Sequence, residues 1–242
     1  ILPVMVGAVL LALKQQPIRS GLLLGIAVGT KLCPLILTPL LFRPWLTRLK
    51  SLFPALLVFG AAIGLGMLPL YLGGLDETSG FVRYGKTWEM NDGIFLLLLG
   101  LSKSILGIAN PADESVQMLA RIMVIISIWV MALACAIKKP PSAESLVARC
   151  LAIMAFAFMF SPTQFPWYFI WSLPFLTLYP NRALLLLTAL LPMYYLRFYF
   201  EDIGQVDFFD NRLVWAQYVP VLALLAWDGL QNRKKRTADE RS

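Results

Sequence analysis

Residues 51–73 read SLFPALLVFGAAIGLGMLPLYLG, a run of 23 residues without a charged side chain. A transmembrane α-helix needs about 20 consecutive apolar residues, so this run is long enough to cross a bilayer. Residues 116–137 and 212–230 form two further runs of sufficient length. These three segments predict an integral membrane protein built of helices.

The composition of the whole chain agrees with this prediction. Of the 242 residues, 59% are hydrophobic and 14% are charged, whereas soluble domains carry about 25% charged residues. A soluble fold of this length would need more polar surface to cover its core. The sequence therefore predicts an all-α fold, a polytopic transmembrane helical bundle.

About eight to nine apolar segments are expected, at residues 2–13, 20–42, 51–73, 94–108, 116–137, 146–160, 165–179, 183–199 and 212–230. Residues 1–230 are predicted to form the transmembrane domain and residues 231–242 a basic cytoplasmic tail. The segment 94–108 is short enough to lie in the interface or to re-enter the membrane.

The distribution of charge predicts the orientation of the bundle. Basic residues lie in the loop 43–50, at Lys138 and Lys139, and in the tail, which the positive-inside rule places in the cytoplasm. The loops 74–93 and 200–211 are acidic on balance and are expected outside. The net charge of +7 thus sets orientation, and nucleic acid is not an expected partner.

Several kinds of chemistry are excluded by residue type. The chain has no histidine, which removes His-based triads and His-ligated zinc. Its cysteines, Cys33, Cys135 and Cys150, lie in or beside apolar segments and are typical of small buried hydrophobic residues. We predict neither a cofactor nor a metal site, although a divalent ion is not excluded by the sequence.

The chain begins with Ile1 inside an apolar run. We therefore expect that an N-terminal part precedes it.

The apolar stretch 20–42 poses a conflict of orientation. Lys14 before it and the basic loop 43–50 after it are both predicted to be cytoplasmic, although only one apolar stretch separates them. A Gly-Thr-Lys-Leu-Cys-Pro run interrupts the stretch at Lys31. Two half-length helices that turn near Lys31, a broken or re-entrant hairpin, would keep both flanks inside. The alternative is one continuous span with a proline kink and a snorkelling lysine.

Lys31 is the strongest single candidate for a functional residue. A lysine inside an apolar stretch costs about 2.5–3.5 kcal/mol on insertion scales, so it needs a partner or a ligand. Its own segment contains no acidic residue. A lipid-linked phosphate would suit the compact charge of an ammonium group. The alternative is a structural lysine that pairs with a carboxylate from a loop.

Residues 161–168, SPTQFPWY, are a second candidate, which we call the Pro-Trp-Tyr turn. Its two prolines would fix a rigid turn at the outer mouth of a helical hairpin. Trp167 and Tyr168 could stack on a sugar ring or cover a prenyl chain. The alternative is an ordinary aromatic belt at the membrane interface.

The third candidate is the outer loop, residues 83–92, which mixes cations, carboxylates, an amide and aromatic rings as a polar ligand pocket would. Four of its residues are predicted to bind substrate: Arg83, Lys86, Trp88 and Asn91. The alternative is an ordinary solvated loop. Arg197, followed by Glu201 and Asp202, is expected either to form local ion pairs or to supply a second cation for a phosphate.

Three segments together resemble a known superfamily. Residues 21–35, GLLLGIAVGTKLCPL, resemble the Lys-Pro segment of the GT-C membrane glycosyltransferases. The Pro-Trp-Tyr turn, continued to Trp171 and Pro174, is similar to their Ser-Pro…Pro-Trp-Tyr segment. Trp88 with Asn91 resembles the outer loop of the mannosyltransferase-like, polyprenyl-phosphate-dependent branch. The chain thus resembles an N-terminally truncated member of that branch.

The resemblance implies an enzyme that transfers a hexose, expected to be mannose, from a polyprenyl-phosphate donor to a lipid or glycan acceptor. The expected partners are membrane lipid, the polyprenyl-phosphate-linked sugar and a glycan or glycolipid acceptor. The expected location is the bacterial plasma membrane, with the active site on the extracytoplasmic face. The alternative function is a multi-spanning transporter or lipid flippase.

The resemblance also assigns roles to residues. Lys31 would hold the departing phosphate, and a carboxylate would act as general base on the acceptor hydroxyl. The carboxylate of the superfamily lies in the first outer loop, so we expect the base upstream of Ile1. A histidine of the superfamily is replaced by Phe165 here, and its role does not transfer.

Overall fold

The structure is a computed structural model that describes residues 1–74 and 79–239. The predicted outer carboxylates Asp76 and Glu77 and the end of the predicted tail lie outside the described residues. The chain is 81% helical, and the described residues form no β-strand. The all-α prediction is confirmed.

The α-helices of the described residues are, in chain order, α1 (Leu2–Leu13), α2 (Pro17–Thr30), α3 (Thr38–Phe42), α4 (Leu49–Leu72), α5 (Gly80–Thr87), α6 (Gly93–Leu106), α7 (Glu114–Ala136), α8 (Ala143–Phe160), α9 (Leu173–Leu178), α10 (Arg182–Leu190), α11 (Leu196–Asp202), α12 (Val206–Phe208) and α13 (Val214–Asp239). Short 3₁₀ segments connect them at Cys33–Leu37, Arg43–Trp45, Pro166–Trp171 and Leu191–Tyr195. A π-helical turn, Phe209–Leu213, precedes α13. Because α13 continues through residue 239, the predicted tail begins within a helix.

Within the described part of the chain, five helical stretches are long and apolar enough to cross a membrane: Leu49–Leu72, Glu114–Ala136, Ala143–Phe160, Arg182–Asp202 and Val206–Gln231. The predicted count of eight to nine segments is not confirmed. The segments at 20–42 and 165–179 fold as short pieces, and α1 and α6 are shorter than the five stretches. The structure is that of an integral membrane protein.

Helices α2 and α4 pack against each other with very little space between their backbones. A Cβ atom added to Gly21 would lie 2.5 Å from the carbonyl oxygen of Ala55, and one added to Gly66 would lie 2.7 Å from Cα of Gly29. Small residues allow this approach between membrane helices. Since the contacts advance in the same direction along both helices, α2 and α4 run parallel.

This parallel packing forces the chain to return between the two helices. α2 ends at Thr30, and Lys31 has extended backbone angles, with φ −161° and ψ 133°. The return runs through residues 33–45, whose helical turns cover about 24 Å against about 21 Å for α2. Both lengths are below the roughly 30 Å of a bilayer core. The stretch 20–42 is therefore a broken hairpin that turns at Lys31, as the charges of its flanks predict, and not one continuous span.

The hairpin gives the bundle two different ends. One end carries Lys31, the outer loop and the Pro-Trp-Tyr turn, and we call it the Lys31 end. The other carries the loop 43–50 and the C-terminus of α7, where the Arg43 side chain donates hydrogen bonds to the carbonyls of Ala136 and Ile137. We call this the basic end. α7 connects the two, because its Arg121 contacts the outer loop.

Gly66→Ala is expected to lower the melting temperature of the purified protein in detergent. The new methyl group would overlap with α2, and overpacking of this kind costs about 1–3 kcal/mol. Gly64→Ala on the same helix is the matched control, because nothing lies within 4 Å of a Cβ atom there. In a helix interior, alanine is more favourable than glycine by about 0.8–1.0 kcal/mol. This gain applies to both variants, so the difference between them reports the overlap with α2. Equal melting temperatures in the two variants would contradict the close packing of α2 and α4.

Candidate functional site

Lys31 lies at the turn of the hairpin with its ammonium group against two aromatic rings. Its Nζ atom is 3.8 Å from the ring centroid of Tyr168 and 4.2 Å from that of Trp171. The two rings stack on each other with centroids 4.9 Å apart. A cation within about 6 Å of such rings is attracted by their negative faces. The structure thus brings together two predicted site residues, Lys31 and Tyr168, that are far apart in sequence.

The sequence explains why the turn occurs at this position. Pro34 has no backbone N–H group and restricts the conformation of the residue before it, which disfavours continuation of α2 through Cys33. A 3₁₀ segment begins at Cys33 instead. Lys31, between the two helical pieces, is extended, and its side chain reaches the stacked rings.

No carboxylate of the described residues lies within salt-bridge distance of the Lys31 ammonium group. The structural ion pair considered as an alternative is therefore not formed within this part of the chain. The ring faces stabilise the positive charge without neutralising it. An anion such as a phosphate group suits the three donors of the ammonium.

Aromatic side chains surround this position in one connected group, the aromatic cluster, made of Tyr84, Trp88, Phe165, Trp167, Tyr168, Trp171 and Tyr194. Trp88 from the outer loop lies 6.1 Å from Phe165, and Trp167 stacks on Phe165 at 4.5 Å. Trp88 is 45% exposed and Trp167 is 49% exposed. Both predicted tryptophans therefore keep accessible ring surface beside the Lys31 site.

Tyr84 links the outer loop to the Lys31 site. Its ring lies 6.5 Å from that of Tyr168. Burial and the neighbouring Tyr168 raise the pKa of Tyr84, and burial raises the pKa of Tyr168. Both groups are therefore neutral hydroxyls at physiological pH. Tyr84 is not among the site residues predicted from the sequence.

A short backbone bridge holds the outer loop against the Pro-Trp-Tyr turn. Met90 pairs with Thr163, and the N–H of Gln164 donates to the carbonyl of Met90 at 2.8 Å. The hydroxyl of Thr163 donates to the carbonyl of Trp88 at 3.0 Å. These bonds fix the position of Trp88 relative to the turn that carries Trp167 and Tyr168.

Asn91 anchors the same loop from inside the protein. It is 2% exposed and has a positive φ of 59°, a conformation that asparagine tolerates better than most residues. Its side-chain amide donates to the carbonyl of Gln164 at 3.3 Å and accepts from Nε2 of Gln217 at 2.8 Å. The structure gives Asn91 a positioning role, and its predicted contact with substrate stays a prediction.

Gln217 and Tyr218 complete this network and were missed by the sequence analysis. Both are fully buried at the start of α13. The hydroxyl of Tyr218 donates to the carbonyl of Asn91 at 2.8 Å and also contacts the Gln164 side chain. A glutamine inside an apolar segment was the available signal, because it must find a hydrogen-bond partner there. The sequence does not tell which partner that is.

The other predicted cations lie in different surroundings. Arg197 forms ion pairs with Asp210, at 3.0 Å, and with Glu201, at 3.5 Å. The expected local ion pairs are thus present, with Asp210 in the place expected for Asp202. Arg83 and Lys86 are exposed on α5, the helix that also carries Tyr84.

Two carboxylates of the outer loop lie in a polar patch beside α7, with Asp92 buried and Glu89 partly buried. Arg121 is 3.4 Å from Glu89 and also donates to the carbonyl of Trp88. Asp92 is 9% exposed, and its Oδ2 atom has no hydrogen-bond partner among the described residues. Burial and the charge of Glu89 raise the pKa of Asp92 well above its usual value. Burial also raises the pKa of Glu89, although Arg121 acts in the opposite direction.

The raised pKa of Asp92 leads to a prediction about stability. A folded-state pKa above the unfolded value means that ionisation destabilises the fold. This penalty is absent below a pH of about 3.9 and grows as the pH rises through the folded pKa. Asp92→Asn is therefore expected to raise the melting temperature at pH 7.5, and the gain should shrink as the pH falls toward 4.

The matched control is Asp202→Asn, because Asp202 is exposed at the end of α11. Melting curves of both variants and of the wild-type protein are measured in detergent between pH 4 and pH 8. A gain at Asp92 that is independent of pH, or an equal gain at Asp202, would show that ionisation of Asp92 is not the cause.

Comparison with known proteins supports an enzyme. The sequence model of glycosyltransferase family 87 matches residues 1–162, more than half of the chain. The match includes the broken hairpin, the outer loop and the beginning of the Pro-Trp-Tyr turn. No curated protein and no solved structure matches the chain. The family favours the glycosyltransferase over the transporter or flippase. This chain belongs to glycosyltransferase family 87 and is a membrane glycosyltransferase of the GT-C type.

Proposed function

We propose that this protein transfers a hexose from a polyprenyl-phosphate donor to a lipid or glycan acceptor, and that the hexose is mannose. In this proposal Lys31 binds the donor phosphate. The observation that carries it is the Lys31 ammonium group held over Tyr168 and Trp171 without a carboxylate partner in the described chain. Membership of the family supports the transferase activity.

The chemistry of the transfer gives Lys31 a reason to be charged. The acceptor hydroxyl attacks the anomeric carbon and loses its proton to a general base. The bond from that carbon to the phosphate oxygen breaks, and polyprenyl phosphate leaves with one more negative charge. A fixed cation beside that oxygen stabilises the charge as it develops in the transition state. The stacked rings hold the ammonium in place before the substrate arrives, so little reorganisation is needed.

The aromatic cluster supports a ligand that carries both a sugar and a prenyl chain. Trp88 and Trp167 have accessible ring faces, and such faces suit the apolar side of a pyranose or an isoprenoid chain. Both are held close to Lys31 by the bridge between the outer loop and the Pro-Trp-Tyr turn. A phosphate at Lys31 would thus have apolar surface next to it.

The two ends of the bundle support an active site on the extracytoplasmic face. The loop 43–50 and the pair Lys138 and Lys139 lie at the basic end, which the positive-inside rule assigns to the cytoplasm. Lys31 lies at the opposite end of the hairpin. We propose the bacterial plasma membrane as the location.

The general base is not assigned to a described carboxylate. Glu89 is paired with Arg121, and Asp92 is buried with a raised pKa. The packing of the outer loop against α7 explains both the ion pair of Glu89 and the burial of Asp92, so neither observation indicates a general base. The proposal therefore concerns donor binding and stabilisation of the leaving group.

The test is transfer of labelled mannose from polyprenyl-phosphate mannose by the full-length protein in membranes. Lys31→Ala is expected to lower the rate by at least about 100-fold, the usual effect of removing one transition-state donor. Lys31→Arg should retain part of the activity, because it keeps the charge with a different shape. Lys14→Ala, at the other end of the hairpin and exposed, is the control and should transfer at the wild-type rate.

Folding of each variant is checked by its elution profile and melting temperature in detergent. A folded Lys31→Ala protein that transfers as fast as wild type would remove Lys31 from the mechanism. A folded wild-type protein that transfers no sugar from any polyprenyl-phosphate donor would contradict the proposed donor class.

A further inference from the structure

An apolar groove runs along the return of the hairpin, from Leu35 to Arg43 and Leu46 at the basic end of the bundle. It has a volume of about 670 Å³ and opens between α3, α4 and α7. Its apolar walls include Phe42, Leu52 and Leu56 on one side and Trp129 and Leu133 on the other. No residue of the aromatic cluster or of the outer loop lines this groove.

The position of the groove indicates where its occupant comes from. α4 and α7 are two of the stretches that can cross a membrane, and most of their residues are not buried within the protein. Leu56 and Leu133 are 42% and 54% exposed. A concave apolar surface between two lipid-facing helices is filled by hydrocarbon from the bilayer, since water would leave the apolar walls unfavourably hydrated.

The rim of the groove is strongly basic. Arg43 lines it and donates hydrogen bonds to the carbonyls of Ala136 and Ile137 at the end of α7. The chain continues directly to Lys138 and Lys139 on one side, and Arg48 and Lys50 lie near the start of α4 on the other.

These cations form no ion pair with a carboxylate of residues 1–74 or 79–239. Residues 43–50 and 137–142 contain five basic side chains and no acidic one. Within the described residues, none of the five lies within salt-bridge distance of a carboxylate. Carbonyl oxygens satisfy the hydrogen bonds of Arg43 but do not remove its charge.

We infer that this groove is a binding site for one anionic phospholipid from the leaflet at the basic end. An acyl chain lies in the groove between α4 and α7, and the phosphate headgroup lies at the rim formed by Arg43 and its neighbours. Apolar walls select the acyl chain, and the basic side chains of the rim select a negatively charged headgroup. The headgroup position at the rim is separate from the proposed donor site, because Lys31 is at the opposite end of the hairpin.

The test uses native mass spectrometry of the full-length protein, with dioleoyl phosphatidylglycerol and dioleoyl phosphatidylcholine added to detergent. Leu56→Trp fills the groove from α4 and is expected to lower phosphatidylglycerol binding at least about fivefold. Leu57→Trp is the matched control, because Leu57 is at the same depth of α4, is 57% exposed and does not line the groove. It should bind the lipid as wild type does.

The headgroup is tested with the double variant Lys138→Gln/Lys139→Gln. Binding of phosphatidylglycerol is expected to fall about fivefold per lysine removed, and binding of phosphatidylcholine should not change. Melting temperatures are measured for all variants. If Leu56→Trp does not fold, Leu133→Trp fills the groove from the opposite wall, on α7.

Three results would overturn the inference. The first is equal affinity of the wild-type protein for the two phospholipids, which would remove the role of the basic rim. The second is unchanged phosphatidylglycerol binding in a folded groove-filling variant. The third is an equal loss of binding in Leu57→Trp, which would indicate an ordinary shell of annular lipid.

Discussion

The close parallel contact between α2 and α4 constrains the rest of this structure. Gly21, Gly29 and Gly66 let the two backbones approach closely, and the order of the contacts shows that α4 starts at the same end of the bundle as α2. The chain between them has to return over the length of α2, and its residues are enough for one pass of about 24 Å. The turn of that return is Lys31. A packing requirement in the membrane thus places an ammonium group at one end of the protein.

The site around Lys31 is assembled from segments that are distant in sequence. The rings that hold the ammonium are Tyr168, in the Pro-Trp-Tyr turn, and Trp171, three residues later. The turn is bridged to the outer loop at Met90 and Thr163. The outer loop is in turn anchored by Asn91 to Gln217 at the start of α13. Each buried amide in this chain of contacts is satisfied by another polar group, which fixes one arrangement in an apolar environment. The accessible tryptophan faces therefore rest on a rigid buried support.

Membrane composition and the break at Lys31 could be predicted from the sequence, because apolar length and flanking charge both follow from the residues in one segment. The positioning role of Asn91 could not be predicted. It depends on a hydrogen bond with Gln217, more than a hundred positions later, and no neighbouring residue indicates that pairing. The predicted count of eight to nine apolar segments is not confirmed for a similar reason. Apolar content alone does not show that residues 165–179 fold as a 3₁₀ segment followed by a short helix. Apolar length and flanking charge thus predict where helices form, whereas the role of Asn91 depends on a polar contact with a residue far away in the sequence.

The two ends of the bundle hold their cations in different ways that have the same electrostatic consequence. At the Lys31 end, aromatic faces hold an ammonium group. At the basic end, Arg43 and Arg149 donate to the exposed carbonyls at the C-terminus of α7, where the helix dipole favours positive charge. A carboxylate would cancel the formal charge of the cation. Aromatic rings and carbonyl groups position a cation and leave that charge in place. Such cations keep their attraction for an external anion, and at a membrane surface those anions include phosphates attached to apolar chains.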